Sequence, residues 1–412
     1  MAKFPVIQTD EGVSTAVKHA LGWLVAGNAV GLYLSLLLLR PQWQLGEWTY
    51  GRWVPVHLNV QLYGWTALPL VAWLFSIYEV NRSKAATWAG AAVWAWTAAL
   101  ALGAMHWLQG VTGGKIFLDW KGGALWAFVA ALAILWLVLG VAWSQRARTW
   151  TRLRKWLSLA GLLVLATVPA AIIITASPKT YPPIDATTGG PSGSSLLGSS
   201  LLVVGLMLLL PRVVVGTGKG KAGWGTWIYF GFCWLFFGAA EFVGGTHFDW
   251  WQNASLVLML PWAWLLFRDW MGFAWPRGTG IWRFSMFAWW ALLVSTAYFM
   301  YFPFILDRIK FTQGLVAHSH LAMAGFTTSF CALLVVLLTG RWLAGSFTVL
   351  LWNLAVLTMI ITLAAMGWRE GAEPSWMIEN PLWRVFGLFV RSLCGVVMLA
   401  TSAIWLKNWR TA

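Results

Sequence analysis

The sequence predicts an all-α, polytopic integral membrane protein of twelve transmembrane helices. Three observations carry that expectation. Only 10% of the 412 residues are charged and 59% are hydrophobic, where an ordinary soluble domain has about a quarter charged. Apolar runs of about 20 residues recur from one end of the chain to the other, each long enough to cross a hydrocarbon core of about 30 Å. Between these runs no stretch is left over for a soluble domain.

The first sixteen residues, with Asp10 and Glu11, lack the basic start, short apolar stretch and small-residue cleavage site of a signal peptide, so the first span, 17–39, is expected to direct insertion itself. The next three spans are read at 55–79, 86–107 and 122–143. The loop that follows, SQRARTWTRLRK at 144–155, carries five basic residues and no acid. Spans five to eight are read at 154–176, 194–215, 223–244 and 252–268, and the last four at 284–306, 312–339, 344–366 and 382–406. No internal repeat is evident. Basic residues around Arg82 and Lys84, around Arg212, Lys219 and Lys221, and around Arg268, Arg277 and Arg283 fall on the same side as the 144–155 loop, which makes that side cytoplasmic. An even number of spans then leaves both termini inside, in the inner membrane of a bacterium: a cytoplasmic segment 1–16, a membrane domain 17–406 and a cytoplasmic tail 407–412.

The net charge of +15 is accounted for by this loop bias, so nucleic acid is not an expected partner; membrane lipid is. Cys233, Cys331 and Cys394 each lie inside an apolar run without metal-ligand spacing and read as packing residues. Many of the 35 Trp flank the spans, as in the aromatic belts of membrane proteins. The loops on the outer side are richer in Gly, Pro and acids (187–193, 244–250 and 368–376) and form the expected functional face.

Five of the six histidines fall toward that outer face. His57 lies just inside the outer end of the second span, His318 and His320 about 9 to 12 Å into the tenth at 1.5 Å per residue, and His106 and His247 end the third and seventh. His19, near the cytoplasmic start, reads as interfacial. Ionisable groups inside a membrane are costly and tend to be functional, and neutral imidazole is an axial ligand of heme iron. Residues 318 and 320 stand about 200° apart around a helix, so their rings cannot bind one iron but can serve two hemes on opposite flanks.

These residues resemble a known family. Tyr50-Gly51-Arg52 through His57-Leu58-Asn59 is similar to the second-helix signature of subunit I in the heme-copper oxidase superfamily, especially its C-family (cbb-type) oxidases and the related nitric oxide reductases. Ala317-His318-Ser319-His320-Leu321-Ala322 resembles their His-x-His motif, and Val390-Arg391-Ser392-Leu393-Cys394-Gly395, preceded by Gly367-Trp368-Arg369, is similar to their Arg-x-Leu-Gly-Gly stretch. The resemblance implies a subunit I-like bundle. It also implies that His57 and His320 are the axial ligands of a low-spin heme b and that His318 is the proximal ligand of a second heme. Arg52, Arg369 and Arg391 become candidates for pairing with propionates or carbonyls. A c-type cytochrome or another periplasmic electron-transfer subunit is the implied partner.

The resemblance breaks where the family holds copper. The family places one His on the sixth helix and a His-His pair on the seventh, since three imidazoles suit copper. Here the sixth span begins Gly189-Gly190-Pro191-Ser192-Gly193-Ser194-Ser195, and the seventh ends Gly244-Gly245-Thr246-His247-Phe248-Asp249-Trp250. A weak iron site of His247 with Asp249 or Glu241 is the minority reading. The main expectation is a heme b-binding subunit of a respiratory electron-transfer complex that lacks most of the copper ligands. The alternatives are an active oxygen or nitric oxide reductase with an atypical metal, and a heme-free transporter or scaffold.

Overall fold

A computed structural model describes residues 10–177, 193–215, 218–341 and 343–411, and among these residues every regular element is helical. Helix α1 (Glu11–Leu39) begins earlier than expected, because the Asp10 carboxylate accepts a hydrogen bond from the Gly12 amide at 2.9 Å. That cap satisfies one of the amides that a helix start leaves unpaired. Then come α2 (Tyr50–Arg82), α3 (Ala86–Leu108), α4 (Gly122–Thr149), α5 (Arg152–Ala176), α6 (Leu196–Val215) and α7 (Trp224–Val243). The shorter helices α8 (Trp250–Val257), α9 (Leu260–Trp270), α10 (Gly280–Met300) and α11 (Pro303–Ile309) follow. The chain closes with α12 (Gln313–Thr339), α13 (Ser346–Ala372) and α14 (Pro381–Trp409).

Among the described residues, ten helices are long and apolar enough to cross a membrane, or eleven if α10 and α11 form one bent span. Twelve were expected, and two prolines account for the difference. The run expected at 252–268 is interrupted after Val257, because Pro261 has no amide to bond the Val257 carbonyl; α8 and α9 have 8 and 11 residues, each too short to span alone. Pro303 likewise cannot serve the Phe299 carbonyl, and α10 and α11 bend by 101° from one another.

Two compact units make up the chain: residues 1–183, 334–348 and 395–412 form one, and 184–333 with 349–394 form the other. In the first, Gly27 and Gly31 of α1 let the α2 side chains Gln61 and His57 approach the α1 backbone, where a β-carbon would collide with them. Such small-residue contacts are how membrane helices pack closely. Asn28 of α1 receives a bond from the Gln61 amide at 3.0 Å and donates to the Ser402 hydroxyl at 3.0 Å. Glu79 pairs with Arg146 at 2.8 Å and Arg154 at 3.0 Å, tying the end of α2 to the basic 144–155 segment. In the second unit the Trp289 indole donates to Asn353 at 2.6 Å, and the Asn353 amide donates to Ser285 at 3.2 Å.

Tryptophan serves a purpose beyond the expected belts. Trp88, Trp224 and Trp250 are exposed near helix starts, but Trp65, Trp107, Trp270, Trp352 and Trp405 are fully buried. Several indoles donate to main-chain carbonyls of other helices, which supplies the acceptor that a buried indole N–H needs. The three cysteines are buried, in keeping with packing roles. Among the described residues, three helices contain π turns, at Val60–Thr66 in α2, Pro211–Val215 in α6 and Leu321–Thr327 in α12.

Candidate functional site

In the first unit, His57 sits on α2 three residues before the start of its π turn. Its Nδ1 lies 2.8 Å from the Gly27 carbonyl. A carbonyl oxygen only accepts, so Nδ1 carries the proton, and in a neutral ring the lone pair is then on Nε2. The ring lies against Gly31, whose missing β-carbon would fall 2.6 Å from His57 Cε1. Such a carbonyl contact fixes both tautomer and ring direction in metal-ligating histidines. Two residues on, the buried Asn59 amide donates to the Pro55 carbonyl at 2.8 Å and to Asp119 at 2.9 Å. Arg52, near the start of the helix, lies 3.7 Å from the exposed Glu47.

In the second unit, α12 is capped by Thr312, whose hydroxyl accepts from the Gly314 amide at 3.1 Å. Phe311, just before it, holds a left-handed φ of 64°. The Gln313 amide donates to Glu370 at 2.8 Å, and Arg391 donates to the Gln313 side chain at 3.1 Å. Arg391 is therefore buried with a partner, while Arg369 is exposed. His320 Nδ1 is 2.8 Å from the Val316 carbonyl, so by the argument used for His57 its lone pair is on Nε2. His318 faces a different environment. It borders an apolar cavity with about 620 Å³ of atom-free space, part of it open to the surroundings, along with Ser200, Tyr298, Met259 and Trp290. Its Nδ1 is buried without a hydrogen-bond partner.

The residues proposed for an iron site are not gathered into one. His247 is buried and pairs through Nε2 with Asp307 at 3.2 Å, and Asp307 also pairs with Lys310 at 2.6 Å. Asp249 instead accepts from the Thr246 amide at 2.7 Å, and Glu241 is exposed. Among the described residues, no group of three or more His, Cys, Asp or Glu could hold a metal ion. The physical reason is local: Gly244 and Gly245, at φ 72° and 106°, end α7 and turn the chain, and the Asp249 carboxylate closes that turn on a backbone amide. Of the other histidines, His19 Nδ1 is 2.7 Å from the Thr97 hydroxyl, and His106 Nδ1 is buried without a partner. The 187–192 part of the expected outer face lies outside the described residues.

Asp307 and Asp119, each bonded to a residue that the sequence singles out, carry no such signal of their own. Asp307, the partner of His247, follows a proline-broken helix and has no spacing relation to it. Asp119 lies between α3 and α4 and is buried; Thr112 donates to it at 2.6 Å and Asn59 at 2.9 Å, and its own carbonyl accepts from the Trp107 indole at 3.0 Å. Burial pushes the Asp119 carboxyl above its ordinary value, with the Thr112 and Asn59 bonds opposing. The available signal was an acid inside an aromatic loop, FLDW.

The chemistry of these imidazoles suits heme iron: His57 and His320, with Nδ1 on a carbonyl and the lone pair on Nε2, and His318, beside an apolar cavity, are the residues that would hold it. Matched against known proteins, the chain fits no family model, and no curated protein matches it in sequence.

Proposed function

We propose that the chain is a heme b-binding subunit of a respiratory electron-transfer complex, similar in plan to subunit I of the C-family oxidases but without most of their copper ligands. The reading includes twelve spans, cytoplasmic termini, the inner membrane of a bacterium and a c-type cytochrome or other periplasmic electron-transfer partner. His57 and His320 would hold a low-spin heme and His318 a second one. The observation that carries the reading is the carbonyl bonded to Nδ1 of both His57 and His320, since the two residues selected by motif carry their lone pairs on Nε2. When bound, heme supplies one-electron transfer. The chain contributes tautomer, ring direction and the apolar surroundings of His318. His247 is engaged with Asp307, and Asp249 with the Thr246 amide; an active reductase with an atypical metal is the alternative reading.

Absorption spectra of the purified protein test this directly. Soret and α bands should appear on reduction with dithionite, and His57→Ala or His320→Ala should remove the six-coordinate low-spin signal. A protein without those bands would end the proposal, and one bound copper per chain would turn it toward a reductase.

A further inference from the structure

The two histidine helices share a short pattern. HLNVQLYGWT, from His57 to Thr66, and HSHLAMAGFT, from His318 to Thr327, both read His, then Gly seven residues on, then an aromatic and Thr. In each, a seven-residue π turn starts three residues after the histidine. In each, the glycine abuts a tryptophan of another helix: Gly64 meets Trp23, and Gly325 meets Trp289.

A π turn leaves one carbonyl passed over. The amide that would bond Tyr63 in an α-helix belongs to Ala67, and it bonds Leu62 instead. The equivalent amide for Ala324 belongs to Thr328, and it bonds Met323 and Gly325. Each passed-over carbonyl receives an indole: Trp96 donates to Tyr63 at 2.8 Å, and Trp352 donates to Ala324 at 2.9 Å. Threonine hydroxyls add to the arrangement at neighbouring positions: Thr66, the last residue of the first pattern, donates to the Gln61 carbonyl at 3.2 Å, and Thr328, one residue past the second, donates to the Met323 carbonyl at 3.0 Å.

The extra residue in a π turn changes the direction of everything before it relative to everything after it by about 100°. A buried carbonyl without a donor is costly, so the indole favours the π form over the α form. We propose that Trp96 and Trp352 are positioning residues that set the ring directions of the heme ligands, Trp96 for His57 and Trp352 for His318 and His320. The inference rests on the heme reading above.

Trp96→Phe and Trp352→Phe remove the donor and keep most of the ring. Trp136→Phe is the control, because Trp136 also donates to a carbonyl, that of Leu162 at 2.9 Å, but on helices without these histidines. Electron paramagnetic resonance of the ferric proteins is the readout. Trp96→Phe should shift the low-spin signal alone, Trp352→Phe should shift both the low-spin and high-spin signals, and Trp136→Phe should shift neither. Thr66→Val and Thr328→Val should give the same two patterns with smaller shifts, and they decide the matter if the tryptophan variants fail to assemble. Heme-loaded variants that keep the wild-type signals, or a control that shifts them equally, would overturn the positioning role alone. A wild-type protein without heme bands would overturn both it and the reading beneath it.

Discussion

At the scale of single residues, the decisive feature of His57 is the absence of an atom elsewhere. Gly31 has no β-carbon, and the imidazole occupies that space with its Nδ1 held by Gly27. Adding a methyl group 2.6 Å from Cε1 forces the ring or the α1 backbone to move. Under the heme proposal, Gly31→Ala should therefore lower heme content and shift any remaining low-spin signal. Gly22→Ala, on the same helix with nothing within 4 Å of the added carbon, should leave both unchanged; equal behaviour of the two variants would remove the ring-seating argument. The sequence made His57, His318 and His320 visible through type and spacing. It could not reveal Asp307 as the partner of His247, because their pairing crosses 60 positions and depends on a proline-made bend.

At the scale of elements, the segment between α3 and α4 acts as a strap on the histidine helix, with Asp119 bonded to Asn59. Burial raises the Asp119 carboxyl from its ordinary 3.8, so the folded state favours the protonated form. Its contribution to stability is complete below 3.8 and is lost as pH rises through the raised folded value. Asp119→Asn should remove that loss, and thermal unfolding in detergent should fall less steeply with rising pH in the variant than in the wild type. Identical slopes would argue against the buried carboxyl as their source. Asn59 was legible as part of a motif, whereas Asp119 was not, since a loop acid gives no sign of whether it faces solvent or a helix.

At the scale of the whole molecule, two prolines set the route of the chain through 250–309. All of the twelve expected spans lie in helical segments, yet Pro261 and Pro303 divide two of them. With twelve crossings, an alkaline phosphatase reporter fused within 244–250 should be active, and one fused within 271–279 should be inactive. Activity at both places would mean that α8 and α9 do not cross together. The prolines were plain in the sequence, but an apolar average over 252–268 hides a missing amide, which interrupts a helix without making it less hydrophobic.

By itself the sequence determined that the chain is apolar and, across the described residues, helical, with helices long enough to cross a membrane. Those properties follow from composition, periodicity and rise per residue, all of which are local along the chain. Tertiary structure decided the rest: which nitrogen of His57 carries the proton, that His247 belongs with Asp307, and that Trp96 and Trp352 bond carbonyls in the π turns. Each of those depends on a donor and an acceptor far apart in sequence, whose pairing is set by how the helices pack.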